Sequence, residues 1–533
     1  MTDPRASYDL LVYRATPAGI VAAITASRLK LRCLLVEPTG RIGGMMTSGL
    51  NAADVLNDSL ITGVAREFFR QVRDEYALSV LPIRIESCVA ERVFRRMLDA
   101  SDVALSTGCD IGAVIREGAA ITSCTLGARR VDARWWIDAS YEGDLIRKAG
   151  LPFRVGREAA EEFDESLAGR QPFRPMLPWA SRMAIDPRAG CRLLPHVQPP
   201  SRSAPGSGDG DVQSYCIRPT LTRLPANRVA IERPEDYDPS EFELFRRLGR
   251  SMRSGRVVAK AIPLLGTTWK SAYFNLAELP GGKVDMNSGP AAPLNNPTLT
   301  RGWIDATIEE RAVKAVAFAR YTRALLWFIQ TDDSVPQGVR EVFSAYGLPA
   351  DEYPRSGHLP PDVYVREGRR LAGRKVFRQQ DIETGGAEPA AAVAEAKYHL
   401  DCKPVHWRSN HTGTNVVREG MFFTQDAYRY SLPAWVLLPD PALCRNFFAV
   451  CGVSATHVAF GSIRMEPTWM ELGSAAAIMA HLADQRGCPP HDIPGRDVRR
   501  LRDERFHHWP APRFVTAKLR EKVVGYCRRV AGA

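Results

Sequence analysis

The stretch that most constrains the fold is residues 8–44, YDLLVYRATPAGIVAAITASRLKLRCLLVEPTGRIGG. Residues 8–13 form a short apolar run of the kind that makes a buried parallel strand. Pro17 suits the first turn of a helix, where its missing N–H costs nothing, and the residues that follow are small. Residues 31–36 are a second apolar run, which ends at Glu37. This order predicts a βαβ unit that binds a dinucleotide.

The glycine turn of this unit departs from the usual pattern. The G-x-G-x-x-G frame falls on Arg14, Thr16 and Gly19, so only the last glycine is present. Either the Arg14 side chain turns outward and contacts a phosphate, or cofactor binding is weakened or lost. Glu37 and the glycine pair 43–44 favour retained binding. A carboxylate after the second strand can accept hydrogen bonds from a ribose, and paired glycines let a cofactor approach the backbone.

Composition indicates a multidomain globular protein. The chain has 533 residues, of which 45% are hydrophobic and 25% charged, so two or more domains are expected. No apolar run reaches the roughly 18 residues of a membrane span, and the first residues lack the apolar segment of a signal peptide. The 11 cysteines are scattered without a C-x-x-C pair, which favours reduced thiols and a cytoplasmic location.

The net charge of +11 is spread over the chain, with one concentration of basic residues in the C-terminal tail. No nucleic-acid-binding motif accompanies this charge, so we expect a solvated arginine-rich surface and no nucleic-acid partner. Such a surface can draw in an anionic substrate or dock a partner protein or a second copy of the chain. The basic residues of the tail are Arg496, Arg499, Arg500, Arg502, Arg505, Arg513, Lys518, Arg520, Lys522, Arg528 and Arg529.

Periodicity predicts further elements between the two ends. Helices are expected over residues 61–75, 86–100 and 304–330, and strands over 103–106, 111–115, 120–126 and 130–137. The helix over 304–330 has a predicted apolar face of Val313, Val316, Ala317, Tyr321 and Leu325. Residues 186–211 are rich in Pro, Gly and Ser and predict a long loop.

Residues 447–483 form the last informative block: an apolar strand, a loop that holds His457, and a small-residue helix from about Pro467. The N-terminus of this helix either faces the pyrimidine end of a flavin, where negative charge develops on reduction, or is simply packed. His457 is the candidate base, since a neutral imidazole has a pKa near ~6.5. The alternative is a structural hydrogen bonder.

Other polar residues leave their roles open. Arg464 and Glu466 either orient a polar substrate or pair with each other. Residues Arg366, Arg369 and Arg370 either clamp a carboxylate or phosphate or form ion pairs. His406 and His411 lie among Trp407, Arg408 and Asn410, a set that suits a polar ligand such as a sugar. A metal site would need a third ligand that the sequence does not place, so none is predicted.

The chain resembles the FAD-dependent oxidoreductases related to the glutathione-reductase-type flavoproteins, some of which carry a "xanthan lyase" label. The matching stretches occur in order over about residues 8–485. They include VYRATPAGIVAA, VEPTGRIGGMMTSGL, IDASYEGDLIRKAGLPFRVGRE, LPPDVYVREGRRLAG and VSATHVAFGSIRMEPTWMELGSAAAIMA. The resemblance does not extend to the basic tail.

This resemblance implies an α/β fold with an α+β insertion, in which a discontinuous Rossmann-like FAD domain encloses a substrate domain. The predicted parts are residues 1–165 and 431–485 for the FAD domain, 166–430 for the substrate domain and 486–533 for the tail. The predicted FAD-binding residues are Arg14, Thr16, Pro17, Ala18, Gly19, Glu37, Pro38, Arg41, Gly43, Gly44, Met45, Ile111, Ala139 and Ser140. The predicted catalytic residues are His457 and Arg464.

The implied activity is hydride transfer from an alcohol, sugar or amine to flavin N5, with reoxidation by oxygen or another acceptor. No second glycine-rich fingerprint, redox cysteine pair or G-x-W-x-W signature is present, so the organic substrate is the expected reductant. Two alternatives stay open. One is reduction of an activated C=C bond, and the other is a degenerate flavoprotein that serves as a binding or scaffolding subunit.

Overall fold

The computed structural model describes residues 5–54, 56–171, 185–186, 190–251, 257–262 and 266–506. The strands are β1 Arg5–Tyr13, β2 Cys33–Glu37, β3 Ala104–Thr107, β4 Ile111–Glu117, β5 Ala120–Leu126, β6 Arg129–Asp138, β7 Phe153–Arg154, β8 Ile185–Asp186, β9 Arg192–Leu193, β10 Thr220–Thr222, β11 Arg228–Val229, β12 Val258–Ile262, β13 Gly266–Lys270, β14 Phe274–Glu278, β15 Lys283–Ser288, β16 Leu348–Pro349, β17 Arg370–Leu371, β18 Ala392–Tyr398, β19 Asp401–Cys402, β20 His406–Ser409, β21 Val416–Glu419, β22 Phe422–Phe423, β23 Tyr428–Pro433 and β24 Phe447–Ala449. The helices are α1 Pro17–Arg28, α2 Gly63–Glu75, α3 Ser87–Asp99, α4 Asp144–Lys148, α5 Ala160–Phe163, α6 Glu243–Ser251, α7 Pro297–Thr300, α8 Ile308–Thr331, α9 Gln337–Ser344, α10 Gln379–Glu383, α11 His457–Ile463, α12 Glu466–Arg486 and α13 Gly495–Phe506.

The main sheet is seven-stranded, in the order β3-β2-β1-β6-β5-β4, with β24 added against β6. Strands β3, β2, β1, β6 and β24 run parallel, whereas β4, β5 and β6 form an antiparallel meander. Because β24 lies near the end of the chain and still pairs with β6, the C-terminal segment returns to the sheet that the first residues build. The fold is a mixed α/β fold with a Rossmann-like parallel core.

Helix α1 lies against helix α12 at very short range. Its residues from Pro17 to Ser27 are buried, and they are mostly small. A Cβ on Gly473 of α12 would lie 2.4 Å from the carbonyl oxygen of Ala18, so only glycine permits this approach. The hydroxyls of Thr25 and Ser474 are 3.2 Å apart across the same contact. The small residues of both helices therefore serve helix packing.

A second sheet of five antiparallel strands, in the order β10-β15-β14-β13-β12, belongs to the middle of the chain. Helix α8 begins with a capping box, in which Thr307 accepts from the amide of Glu310 and the Glu310 carboxylate accepts from the amide of Thr307. The main hydrophobic core is continuous and includes residues of both sheets and of α1, α8 and α12. None of the described helices is long and apolar enough to cross a bilayer.

Most predicted elements are confirmed to within a few residues, but two predictions are wrong. The apolar face of α8 is wrong at Val313 and Val316, which are 73% and 69% exposed, whereas Tyr321 and Leu325 are buried. The core covers only the second half of this helix. The predicted loop over 186–211 is mostly irregular in its described residues, with the short antiparallel pair β8–β9 at its start. His457 lies in helix α11, not in a loop, because the Thr456 side chain caps that helix.

Of the basic tail, residues 495–506 form α13. The remainder, from Arg513 to Arg529, lies outside the described residues, so its predicted docking role stays a prediction.

Candidate functional site

Four parallel strands of the main sheet end side by side. Tyr13 of β1 pairs with Val36 of β2 and with Asp138 of β6, and Asp138 pairs in turn with Ala449 of β24. In open α/β sheets, ligands bind at the carboxyl ends of the strands. The predicted cofactor residues Thr16, Glu37 and Ala139 all follow or end these strands.

The N-terminus of α1 is built around Thr16. Its hydroxyl accepts a hydrogen bond from the Gly19 amide (3.2 Å) and donates one to the Ala139 carbonyl (2.9 Å). A Cβ on Gly19 would lie 2.0 Å from the Arg14 carbonyl oxygen, so this glycine is required by the turn itself. Pro17 and Ala18 complete the first turn. The helix start offers a positive dipole end, which attracts an anion such as a diphosphate.

Arg14 turns towards Glu37 rather than outward. Its backbone is left-handed (φ 77°), and one guanidinium nitrogen lies 3.1 Å from Glu37 Oε1. Glu37 also accepts hydrogen bonds from the Ala15 amide (3.0 Å) and from the amide and hydroxyl of Thr39 (2.9 Å each). The carboxylate predicted to bind a ribose therefore already carries partners from its own chain, and Arg14 is one of them.

The glycine pair 43–44 has positive φ angles of 89° and 47°. A Cβ on Gly43 would lie 2.3 Å from the Thr47 methyl group, and one on Gly44 would lie 2.4 Å from the Tyr141 hydroxyl. Met45 donates its amide to the same hydroxyl (3.0 Å). The glycines are therefore required by the chain's own packing, which is a different reason from the close cofactor approach that the sequence suggested.

The remaining predicted cofactor residues are dispersed around this edge. Arg41 forms an exposed ion pair with Asp362, and Pro38 is half-buried. Ile111 is fully buried in a smaller hydrophobic cluster that also contains Tyr13 and Val36. Ser140 hydrogen-bonds to the carboxylate of Asp138 through its amide (2.8 Å) and its hydroxyl (2.6 Å).

Glu466, the first residue of α12, faces the cofactor loop. The Tyr141 hydroxyl donates to Glu466 Oε1, while Oε2 is buried without a hydrogen-bond partner. Burial raises the pKa of Glu466 to about 8, although the Tyr141 hydrogen bond opposes the shift. The side chain is therefore a neutral carboxylic acid at pH 7. It does not pair with Arg464, which removes one of the two roles that the sequence left open.

Arg464 pairs with Asp401 instead. Its Nη2 lies 2.9 Å from Asp401 Oδ2, and its Nη1 donates to the Tyr364 hydroxyl (3.0 Å). Lys403 contacts the other Asp401 oxygen at 3.2 Å. Burial raises the pKa of Asp401, but Lys403 and Arg464 outweigh it and hold that pKa below its ordinary value.

His457 forms a buried pair with Glu367. Its Nδ1 lies 2.8 Å from Glu367 Oε2 and its Nε2 lies 3.5 Å from Cys402 Sγ. Burial lowers the pKa of His457, but Glu367 and Cys402 more than offset this and raise it to about 10. The expected pKa near 6.5 is therefore wrong for this environment, and the imidazole is protonated at pH 7.

The predicted arginine clamp is divided among different partners. Arg369 lies 3.1 Å from Asp144. Arg370 lies 2.8 Å from Glu158 and 3.2 Å from Glu367. Arg366 is buried as well, but forms no ion pair with any carboxylate in the described ranges. Two of the three arginines are thus structural ion-pair partners.

His406 and His411 do not lie together in one site. His406 is buried, and its Nε2 lies 2.9 Å from Asp211 Oδ2. A carboxylate oxygen of Asp209 lies near both, so the three side chains are close enough to bind one cation. The guanidinium of Arg157 is already hydrogen-bonded to Asp209, so a positive charge is present there. His411 is exposed.

Several residues of the site were not predicted from the sequence. Glu367 stands 90 positions from its partner His457, and Tyr141 stands 325 positions from Glu466. Both lie in stretches that the resemblance marked, IDASYEGDL and YVREGRR. Asp401 and Cys402 lie in none of those stretches, so no signal in the sequence identified them.

A family model described as "FAD dependent oxidoreductase" matches residues 9–504. The chain belongs to this family, and FAD is its cofactor. No curated protein sequence matches the chain.

Solved structures show only remote likeness. A geranylgeranyl bacteriochlorophyll reductase-like protein from Thermoplasma acidophilum is 10% identical, with 94% of this chain and 84% of that chain covered and a TM-score of 0.34. THI4 of Thermovibrio ammonificans is 17% identical, with 28% and 66% covered and a TM-score of 0.22. OxyS anhydrotetracycline hydroxylase from Streptomyces rimosus is 14% identical, with 31% and 40% covered and a TM-score of 0.23. The chain spans less than two thirds of the last two.

The residues at the carboxyl edge fit FAD in most respects. The capped start of α1 suits a diphosphate, and Glu37 stands where a ribose carboxylate belongs. Arg14 does not fit, because its guanidinium forms an ion pair with Glu37 Oε1, an oxygen that a ribose would use.

Proposed function

We propose that the chain is an FAD-dependent oxidase or dehydrogenase of a polar small molecule, an alcohol, sugar or amine. Bound FAD supplies the two-electron acceptor, which oxygen or another acceptor regenerates. The residues proposed to hold it are those at the start of α1, Glu37, and the segment from Arg41 to Met45. The proposed location is the cytoplasm.

The observation that carries this proposal is the buried pair of His457 and Glu367. A carboxylate at Nδ1 fixes the tautomer of an imidazole and stabilises the imidazolium that forms when Nε2 accepts a proton. In the proposed oxidation, the substrate carbon loses a hydride to the bound FAD, and the adjoining O–H or N–H loses its proton to Nε2 of the neutral form of His457, which becomes more abundant as pH rises towards 10. Glu367 is the positioning residue, and Arg464, held by Asp401 and Tyr364, orients the substrate.

A second candidate function is favoured by the protonation state of His457. With its pKa raised to about 10, His457 carries a proton at pH 7 that it can donate as a general acid. An acid in this place suits the reduction of an activated C=C bond, in which one carbon receives a hydride and the other receives the His457 proton. This reaction needs an external electron donor such as a reduced nicotinamide.

The direction of the pH profile separates the two functions. The test mixes FAD-loaded protein anaerobically with alcohols, sugars and amines, and separately mixes dithionite-reduced protein with enones. The oxidase proposal expects bleaching of the oxidised flavin in the first set, at a rate that rises with pH towards 10. Reoxidation by enones at a rate that falls with pH would overturn it in favour of the reductase. His457→Gln should flatten either profile.

A further inference from the structure

Arg366 is a buried cation that forms no direct ion pair among the described residues. Its Nη1 donates to the Ser214 carbonyl (2.9 Å) and its Nη2 contacts Cys216 Sγ (3.3 Å). The guanidinium carbon lies 4.1 Å from the centroid of the Tyr364 ring. Nε is buried without a hydrogen-bond partner, and the residue is only 1% exposed. Arg369 and Arg370, close by in sequence, both have carboxylate partners.

Asp401 is near enough to Arg366 for the guanidinium to help lower the pKa of that carboxyl group, but the two side chains form no direct ion pair. Arg464 and Lys403 share the single carboxylate of Asp401. Glu367, the next residue in sequence, is engaged by His457 and by Arg370. Since an unpaired buried charge costs several kcal/mol in general, this arrangement is best explained by an anion that arrives from outside the chain.

Two further observations concern the groups around Arg366. Arg366 stacks on the Tyr364 ring, and the hydroxyl of the same ring accepts from Arg464. The Ser214 hydroxyl is buried without a partner, and its residue carries the carbonyl that Arg366 binds. A guanidinium is a planar fork that matches the bidentate geometry of a carboxylate, and Nε together with the second hydrogens of Nη1 and Nη2 remains to donate.

We propose that Arg366, with the Ser214 hydroxyl, binds the carboxylate of an acidic substrate whose oxidisable carbon lies at His457. This inference rests on the proposed function, because it requires a substrate at that site. It narrows the substrate class from alcohols, sugars and amines to hydroxy acids, uronic acids and amino acids.

The test uses FAD-loaded full-length protein and the unreactive probe benzoate, read by the change in the visible flavin spectrum. Inorganic phosphate is titrated in parallel, since a tetrahedral anion can use the same guanidinium. Wild type should bind benzoate, and Arg366→Met should weaken it roughly tenfold or more, because a charge-assisted hydrogen bond is lost. The benzoate affinity of Arg366→Lys should lie between those of wild type and Arg366→Met. The control is Arg374→Met, which removes an arginine that is 67% exposed and should leave the benzoate affinity unchanged.

Substrate pairs provide the second arm. Mandelate against phenylethanediol, glucuronate against glucose and alanine against alaninol differ in the carboxylate, and wild type should be reduced faster by the acid of at least one pair. If no compound bleaches the flavin while benzoate binding still depends on Arg366, the proposed function fails and the anion site stands.

Three results would overturn the anion site. The first is equal benzoate affinity in wild type and Arg366→Met, and the second is tighter binding of phosphate than of benzoate. The third is a change in the flavin reduction potential of Arg366→Met with benzoate affinity intact, since the arginine would then serve the flavin. If Arg366→Met does not fold, Arg366→Lys and Ser214→Ala carry the same comparison.

Discussion

Arg14 and Arg366 are two arginines that differ in whether a carboxylate of the chain pairs with their positive charge. Arg14 replaces a glycine of the nucleotide-binding turn, and its own chain neutralises it through Glu37. Arg366 stacks on an aromatic ring and has no carboxylate partner in the described part of the chain. A cation that is already paired has to give up its partner to bind a ligand, whereas an unpaired cation gains by binding one. We therefore expect Arg14 to hinder binding of the nucleotide and Arg366 to favour binding of an anionic substrate.

The largest expected effect concerns the carboxylate beside Arg366. Glu367→Gln leaves His457 and Arg370 without their shared negative partner, and breaking a buried ion pair costs about 3–5 kcal/mol. Urea unfolding of the variant against wild type measures the loss. The matched control is Glu395→Gln, which breaks the exposed pair with Arg429 and should cost less than about 1 kcal/mol. Equal losses in the two variants would contradict the importance of the buried pair.

The second prediction is a stability that falls as pH rises, in two windows. Glu466 has a folded pKa raised from 4.5 to about 8, so the folded state holds a proton that the unfolded state releases between these values. His457 has a folded pKa raised from 6.5 to about 10, so its stabilisation is complete below 6.5 and disappears towards 10. Linkage gives a negative slope in both windows. Glu466→Gln should remove the slope between pH 4.5 and 6.5 and reduce it between 6.5 and 8, where His457 still contributes. Denaturant midpoints measure both, and an unchanged slope below pH 6.5 would contradict the shift.

The third prediction concerns Arg14, where the expected free-energy change is smaller. Arg14→Gly frees Glu37 for a ribose and relieves a left-handed backbone, which costs a non-glycine residue about 1–2 kcal/mol. We expect FAD to bind roughly tenfold more tightly, equivalent to about 1.4 kcal/mol, with adenosine and ADP improved by the same factor in fluorescence or calorimetric titrations.

The control for this variant is Lys30→Gly, which relieves a similar backbone (φ 65°) at the far end of α1. Its FAD affinity should match wild type. If Arg14→Gly weakens ADP and FAD but not adenosine, Arg14 is instead a phosphate ligand, as one interpretation of the sequence holds.

The smallest effect is expected at Arg41. Its pair with Asp362 is partly exposed, with side chains 47% and 27% accessible, so Asp362→Asn should cost less than about 1 kcal/mol of stability. The difference should shrink further in 0.5 M salt because exposed pairs are screened. A loss that persists at high salt would show that the pair holds the cofactor loop more firmly than its exposure suggests.

The sequence predicted local structure well and long-range partners poorly. The strands and helix of residues 5–37 follow from apolar periodicity and the position of Pro17, which are local properties. Periodicity also predicted α8, but it could not show that the core covers only its second half, so Val313 and Val316 were wrongly placed inside.

The candidate site depends on distant pairings that periodicity does not encode. His457 was identified from its motif, but its protonation depends on Glu367 and Cys402, which the fold alone brings to it. The charge state of Glu466 follows from burial beside Tyr141, and the partner of Arg14 from the path of β2. Residue type and order therefore predicted the cofactor class, whereas the chemistry of each group required the tertiary structure.

The most direct test of the account is the visible absorption spectrum of the purified full-length protein, followed by acid release of its chromophore. We expect flavin bands, and FAD in near-equal amount to protein once FAD is supplied, because the start of α1 and Glu37 still form a nucleotide site despite Arg14. A colourless protein that also fails to bind added FAD would contradict the enzyme proposal and favour a binding or scaffolding subunit.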